Sequence, residues 1–177
     1  WLHCRAKRVL TEEQERILEE TELDKCKVFL TCFNRNPALY SQNSLQLPGI
    51  ISCNFHSYLQ EVLQEQGPEI EEPVTGGEKT CYFEEILPDC AFDYFMNLPE
   101  QDKFDFLIVD EGQDFKETWY TCLESMLKAD GEFYIFADPN QDIFKTGVEF
   151  LKKLPLSKQS LTFNLRNTEP INQWITP

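Results

Sequence analysis

Five short apolar segments alternate with helical patterns along this chain, and this alternation limits the possible folds more than any other feature. The segments are CKVFLTCF (26–33), GIISCNF (49–55), FDFLIVD (104–110), EFYIFAD (132–138) and SLTFNL (160–165). Each is almost continuously apolar, which is typical of parallel strands covered on both faces. Helical patterns occupy residues 1–22, 55–66, 116–129 and 145–154. Right-handed crossovers then predict one α/β layered domain over residues 1–177, with five mostly parallel strands between helices.

Charge and hydropathy exclude several functional classes. The formal net charge of −15 argues against a surface that coats nucleic acid generally, because such a surface needs excess Lys and Arg. A narrow groove that contacts a single strand locally stays possible. No apolar run approaches the roughly 18 residues of a membrane span, and no signal-peptide pattern opens the chain. A membrane partner is therefore not expected.

The seven cysteines favour a reducing compartment. None forms a C-x-x-C pair, and several fall in or beside strand-like segments, so that zinc binding or a disulfide framework is disfavoured. We expect an intracellular protein, cytoplasmic or, in a eukaryote, nuclear. Because the chain begins with Trp1 rather than methionine, we also expect it to be a piece of a longer protein.

A polar, acidic stretch, GPEIEEPVTGGEKT (67–80), predicts an exposed loop because it is rich in Pro and Gly. Its end, VTGGEKT, superficially resembles a phosphate-binding loop. The two required glycine positions hold Pro73 and Glu78, however, and the carboxylate of Glu78 would repel phosphate. A flexible turn is the better interpretation.

Acidic side chains stand at the ends of two predicted strands. Asp110 and Glu111 follow FLIV, and Asp138 follows YIFA. Ligands of open α/β sheets bind beyond the carboxyl ends of the strands, where a terminal Asp can hold Mg²⁺ and a neighbouring carboxylate can activate water. The alternative is that these acids solvate two turns, the second an Asx or Pro turn with Asn140 and Gln141. Two such strand ends, separated by one helix, favour a shared site.

The segments around these acids resemble the UvrD/Rep-like superfamily I helicases, especially those with a D-E-G-Q-D-F motif, some of which carry nuclease-related domains. LIVDEGQDF resembles the Walker B segment and FADPNQDIF the sensor motif that follows it. VFLTCFNRNPA (28–38) resembles motif Ia, NFHSYL (54–59) the segment after it, and LTFNLRNTEPI (161–171) the motif that closes the domain. The resemblance implies a RecA-like fold, with ATP and Mg²⁺ as cofactors.

The resemblance also implies roles for individual residues. Asp110 would hold Mg²⁺ and Glu111 would be the catalytic base. Gln113 and Gln141 would sense the γ-phosphate or its attacking water, and Arg166 would neutralise charge on the transferred phosphoryl group. The catalytic residues would be Glu111, Gln141 and Arg166, and the cofactor-binding residues Asp110, Gln113, Asp138 and Arg166.

Single-stranded DNA or RNA would be the partner, contacted by Phe33, Asn34 and His56 through stacking or phosphate contacts. A second RecA-like domain of the same parent chain is also implied. Two of these contacts have a structural alternative: Phe33 as a core aromatic, and His56 as a helix-start residue bonded to backbone.

No G-x-x-x-x-G-K-[ST] occurs in the 177 residues. Residues 1–22 resemble the helix that follows a phosphate loop, so we expect the loop just upstream of Trp1. The parent protein would be an ATP-dependent helicase, and this fragment alone would be inactive. The main alternative, favoured by acidity and the absent loop, is a catalytically inactive, helicase-derived interaction module. A metal-dependent phosphatase or nuclease is a weaker alternative, because only two histidines are present.

Overall fold

A computed structural model describes residues 26–34, 49–67, 70–138, 147–154 and 157–159. The strands are β1 (Val28–Cys32), β2 (Ile50–Asn54), β3 (Phe104–Asp110) and β4 (Leu127–Ile135). The α-helices are α1 (Phe55–Gln66), α2 (Gly76–Cys81), α3 (Leu87–Met96), α4 (Glu117–Met126) and α5 (Gly147–Lys153). A π-helix (Tyr82–Ile86) joins α2 to α3, and short 3₁₀ turns span Glu100–Asp102 and Gly112–Asp114. The predicted helix 1–22 and strand 160–165 lie outside the described residues.

The four strands form one sheet in the order β2-β1-β3-β4, and every pairing is parallel. This confirms the predicted α/β class, with the parallel sheet of a RecA-like domain. The register places Cys32, at the end of β1, opposite both Asn54 and Asp110. The carboxyl ends of β1, β2 and β3 are therefore level, and they meet at one edge of the sheet.

The main core lies between one face of the sheet and the helices α1, α3 and α4. Phe29 and Leu107 are register partners, so both project from this face, and both are fully buried. Leu59 of α1, Ala91 of α3 and Leu123 of α4 belong to the same buried cluster and are also fully buried. Burying one Phe or Leu side chain contributes roughly 1.5–3 kcal/mol, so this layer stabilises the packing of the helices on the sheet.

β4 differs from the predicted strand 132–138, because it begins at Leu127 and ends at Ile135. The predicted helix 116–129 correspondingly ends at Met126. Leu127 pairs with Phe104, and the register then shifts before Phe106 pairs with Glu132. Pairing with β3 thus overrides the helical pattern of residues 127–129.

The predicted loop 67–80 is also partly helical. α2 begins at Gly76, and the helical run continues through the π-helix and α3 to Met96. Thr75 is the N-cap, and its hydroxyl donates a hydrogen bond of 2.5 Å to the Glu78 carboxylate. The T-x-x-E spacing is that of a capping box, but the two side chains bond to each other and not to backbone N–H groups. Among the described residues, no helix is long and apolar enough to cross a membrane.

Candidate functional site

The turn that follows β3 carries the candidate site. Asp110, the last residue of β3, is exposed, and its carboxylate accepts a hydrogen bond of 3.1 Å from the Glu111 backbone N–H. Glu111 has a φ of 54°, in the left-handed region that residues with a Cβ seldom occupy. Such conformations cost roughly 1–3 kcal/mol and persist where the surroundings fix them. The turn is therefore a place where local strain is held by neighbouring contacts.

Backbone hydrogen bonds attach this turn to the end of β4. The Phe136 N–H donates to the Val109 carbonyl, and the Gly112 N–H donates to the Phe136 carbonyl, each at 2.8 Å. An added Cβ on Gly112 would lie 2.4 Å from Ile135 Cγ2, so only glycine allows this approach. Because β3 and β4 are parallel, Asp110 and Asp138 follow strand ends at the same edge of the sheet.

Gln113 links the two strand ends through its side chain, which is 2% exposed. Its Nε2 donates a hydrogen bond of 2.6 Å to the Glu111 carboxylate. Its Oε1 accepts one of 3.1 Å from the Asp138 backbone N–H. The amide of Gln113 therefore uses both its donor and its acceptor inside the protein, between the half-buried residues Glu111 and Asp138.

The donor set at this edge suits Mg²⁺ better than a transition metal. Within the described residues, no group of three or more His, Cys, Asp or Glu side chains is arranged to hold a metal ion. Mg²⁺ needs no such group, because it keeps several waters and takes one or two carboxylates together with substrate phosphates. The exposed carboxylate of Asp110 can provide such a ligand, with Glu111 beside it.

An aromatic cleft of about 380 Å³ lies beyond the carboxyl ends of β1 and β2. It is lined by Phe33, Asn54, His56, Lys79, Thr80, Phe83, Glu84 and Trp119. The rings of Phe33 and Trp119 are stacked, with centroids 5.5 Å apart. His56 meets Trp119 edge to face at 4.6 Å. The cleft therefore presents aromatic surface at the same edge of the sheet as the acidic turn.

The π-helix forms one wall of this aromatic cleft. Trp119 Nε1 donates a hydrogen bond of 3.1 Å to the Glu84 carbonyl. His56 Nε2 lies 2.9 Å from the Phe83 carbonyl, and since a carbonyl only accepts, Nε2 carries the proton in this contact. A π-helix alters the usual backbone pairing, and these two side chains bond to its carbonyl groups.

Asn54 fixes the opposite side of the aromatic cleft. As the N-cap of α1, its carbonyl oxygen Oδ1 accepts a hydrogen bond of 3.1 Å from the Ser57 N–H. Its Nδ2 donates to the carbonyls of Cys32, at 3.3 Å, and of Phe33. One side chain thus joins the end of β1 to the start of α1, and it holds Phe33 beside His56.

The predicted site residues fall into three groups. Asp110, Glu111, Gln113 and Asp138 come together at the ends of β3 and β4. Phe33 and His56 line the aromatic cleft, and Asn34 follows Phe33 without lining the cleft. Phe33 is half-buried, His56 is 8% exposed, and Asn34 is exposed, with its carbonyl accepting from the Cys32 thiol. Gln141 and Arg166 lie outside the described residues. Sequence reasoning missed Phe83, Trp119 and the bridging role of Asn54, although a polar residue just before an apolar helix is a recognisable N-cap signal.

Comparisons of the chain with protein-family models, with curated protein sequences and with solved structures give no significant match.

Proposed function

We propose that this chain is part of the first RecA-like motor domain of a superfamily I ATP-dependent helicase, which couples ATP hydrolysis to movement along single-stranded DNA or RNA. One observation carries the proposal: the ends of β3 and β4, bearing Asp110 and Asp138, lie side by side and are joined through Gln113. Ligands of parallel α/β sheets bind at this edge. The resemblance of DEGQDF to a Walker B segment supports the same assignment.

The proposed chemistry assigns separate tasks to the two carboxylates. Asp110 would hold Mg²⁺, which when bound neutralises charge on the β- and γ-phosphates of ATP. The Glu111 carboxylate would take a proton from the attacking water. Gln141 and Arg166 would complete the phosphate contacts, as the resemblance implies. The chain alone is expected to hydrolyse ATP negligibly, because its sequence contains no G-x-x-x-x-G-K-[ST] motif, whose backbone amides and Lys would bind the phosphates.

The aromatic cleft is the proposed contact for single-stranded nucleic acid. A nucleobase can stack on an exposed aromatic face whatever its sequence, and each stacked base contributes roughly 1–3 kcal/mol. Phe33 and Phe83 are the half-buried rings of the cleft, and Asn34 lies at the end of β1 beside it. The more buried His56 would support the wall rather than reach the strand. Lys79 is the cation that lines the cleft; its ammonium lies 3.0 Å from the Glu72 carboxylate, and it would exchange this partner for a phosphate.

The proposed location is intracellular, cytoplasmic or nuclear, and the proposed second partner is another RecA-like domain of the parent protein. The free thiols of Cys53, Cys81, Cys90 and Cys122 support a reducing compartment.

The test of hydrolysis uses the full-length protein that contains this chain. Glu111→Gln keeps the size and polarity of the side chain but removes the base, so turnover should fall about 10²–10⁴-fold with ATP binding retained. The control is Glu124→Gln, the same change at an exposed position of α4, which should leave turnover unchanged. If Glu111→Gln reduced turnover less than tenfold, Glu111 would not be the base. A wild-type protein that neither hydrolyses ATP nor binds single strands would favour the interaction module.

The nucleic-acid contact is tested separately, by fluorescence anisotropy with a labelled oligothymidylate. Phe83→Ala should weaken binding roughly 5- to 150-fold, as expected for one lost stacked base. Tyr134→Ala is the control, because Tyr134 is an exposed aromatic of β4 that does not line the cleft. Lys79→Gln should reduce the salt dependence of binding if its ammonium meets a phosphate. Equal affinities of wild type and Phe83→Ala would exclude the cleft as the contact.

A further inference from the structure

The side chain of Gln113 is buried and bonds at both ends within the protein, whereas a phosphate sensor needs a group that can reach the ligand. The Gln113 side chain is 2% exposed, and its amide bonds at one end to the Glu111 carboxylate and at the other to the Asp138 backbone N–H. A buried amide without partners costs free energy, so burial of Gln113 depends on both contacts. The side chain therefore connects Glu111 with Asp138, which lies 25 positions after Gln113 in the chain.

The contact with Glu111 fixes the direction of the carboxylate. Glu111 stands in the left-handed region, with a φ of 54°, and its backbone is held by the hydrogen bond from the Asp114 N–H to its carbonyl, 2.9 Å long. The backbone conformation fixes the position of the Glu111 Cβ, and the hydrogen bond from the Gln113 amide fixes the direction of the Glu111 carboxylate. A hydrogen bond to a charged carboxylate is shorter and stronger than a neutral one, which agrees with the 2.6 Å separation.

The contact with Asp138 makes this orientation depend on β4. The donor is the backbone N–H of Asp138, three residues after the last residue of β4. If the backbone at Asp138 moves away from β3, the Gln113 oxygen loses its donor, and the amide is released to turn. The direction of the Glu111 carboxylate would then change as well.

We propose that Gln113 is a positioning residue, which orients the Glu111 carboxylate according to the backbone position at the end of β4. This proposal rests on the proposed function, in which Glu111 is the base. Gln113 itself touches neither phosphate nor water in this role. It transmits the presence of a ligand at the end of β4 to the base at the end of β3, and so restricts hydrolysis to the state in which both strand ends are in place.

Two variants separate the two contacts of Gln113. Gln113→Met has a similar length and loses both hydrogen bonds. Gln113→Glu keeps an acceptor for the Asp138 N–H but places a second carboxylate against Glu111. Gln64→Met and Gln64→Glu are the matched controls, because Gln64 is exposed on α1.

The first measurement is amide hydrogen exchange of Asp138 in this chain, which needs no ATP turnover. Gln113→Met should accelerate the exchange roughly tenfold, the effect of losing one buried hydrogen bond, whereas Gln113→Glu should preserve the protection. Both Gln64 variants should match wild type. Unchanged exchange in Gln113→Met, with the fold intact by circular dichroism, would overturn the link to β4.

The second measurement is ATP turnover by the full-length protein. Both Gln113 variants should lower kcat about 10²-fold, as expected when a catalytic group is displaced by about 1 Å, with little change in KM. A kcat within threefold of wild type, alongside an inactive Glu111→Gln, would overturn the positioning role while the proposed function stood. If Glu111→Gln were fully active, or wild type had no turnover, the proposed function would fail and the positioning role with it.

Discussion

The phenol of Tyr120 donates a hydrogen bond of 2.8 Å to the carbonyl oxygen of Gly112, and so connects α4 to the turn that carries Glu111. Tyr120 is 1% exposed and Gly112 is buried, so neither group can exchange this bond for water. Burial raises the pKa of the Tyr120 phenol, which keeps it a donor throughout the physiological range.

Tyr120→Phe should lower the free energy of unfolding by about 0.5–1.5 kcal/mol, because the Gly112 carbonyl loses one of its two donors and keeps only the Phe115 N–H, at 3.1 Å. Urea unfolding followed by circular dichroism measures the difference. Tyr94→Phe is the control: its hydroxyl bonds to Gln66 in an exposed contact, where water can replace the partner. Equal losses in the two variants would contradict the importance of the Gly112 contact.

Gly112→Ala should destabilise the chain through a steric clash rather than through the loss of a hydrogen bond. The new methyl group would lie 2.4 Å from Ile135 Cγ2 and 2.8 Å from the Tyr120 hydroxyl, so the ends of β3 and β4 must separate. Overpacking of this kind costs typically 1–3 kcal/mol. The control, Gly77→Ala in α2, meets no atom within 4 Å and should be neutral or stabilising, since alanine favours helix. Thermal unfolding distinguishes the two outcomes.

The elements whose bounds were predicted correctly are those with characteristic residues at their ends. β3 has the predicted bounds, because a continuous apolar run is followed at once by Asp110 and Glu111. α1 also has the predicted bounds, because Asn54 caps its start and Gly67 follows its end. In both cases the local sequence and the tertiary packing favour the same first and last residues of the element. Asp110 could therefore be assigned from sequence to the carboxyl edge of the sheet.

The elements that were missed depend on contacts distant in sequence. The first half of β4 is strand only because Leu127 pairs with Phe104. The helical run that begins at Gly76 was missed because residues 67–80 are rich in Pro and Gly, which are typical of a loop. The hydrogen bond between Gln113 and Asp138 depends on the position of Asp138 after β4, and the local sequence does not predict that position. Phe83 and Trp119 look like ordinary helix residues until the strands bring them together.

Asn54 has two structural tasks that substitution can separate. Asn54→Asp keeps the acceptor for the Ser57 N–H but loses the donor to the Cys32 and Phe33 carbonyls, whereas Asn54→Ala loses both. Loss of an N-cap costs typically about 1 kcal/mol. We expect Asn54→Ala to be the more destabilised of the two in urea. Comparable stability of Asn54→Ala and wild type would show that the cap is dispensable.

The last prediction concerns Asp105, which ties three strands together at the opposite edge of the sheet. Its carboxylate accepts hydrogen bonds from the backbone N–H of Lys27, at 2.7 Å, and from Lys128 Nζ, at 2.5 Å. Partial burial alone would raise the pKa of Asp105, but these two donors outweigh it and hold the pKa below the ordinary 3.8. The same contact raises the pKa of Lys128. Both shifts mean that the folded state favours the charged pair.

The sign of the pH effect follows from the lowered pKa. A carboxyl whose pKa is lower in the folded state stabilises that state above its unfolded pKa, and the contribution disappears as pH falls through the folded pKa. Asp105→Asn removes the charge at every pH, so it should cost about 1 kcal/mol at pH 7. The difference from wild type should start to shrink as pH falls through the ordinary value of 3.8, and it should vanish below the lowered pKa of the folded state, where Asp105 itself becomes protonated.

Urea unfolding at pH 7 and at successively lower pH values tests this expectation. Glu149→Gln is the control, because Glu149 pairs with Lys152 in a contact where both side chains are more than half exposed, and solvent screens such pairs. Its stability difference should be much smaller at pH 7. A stability difference for Asp105→Asn that stayed constant down to low pH would show that packing, and not the charge of Asp105, is what joins these strands.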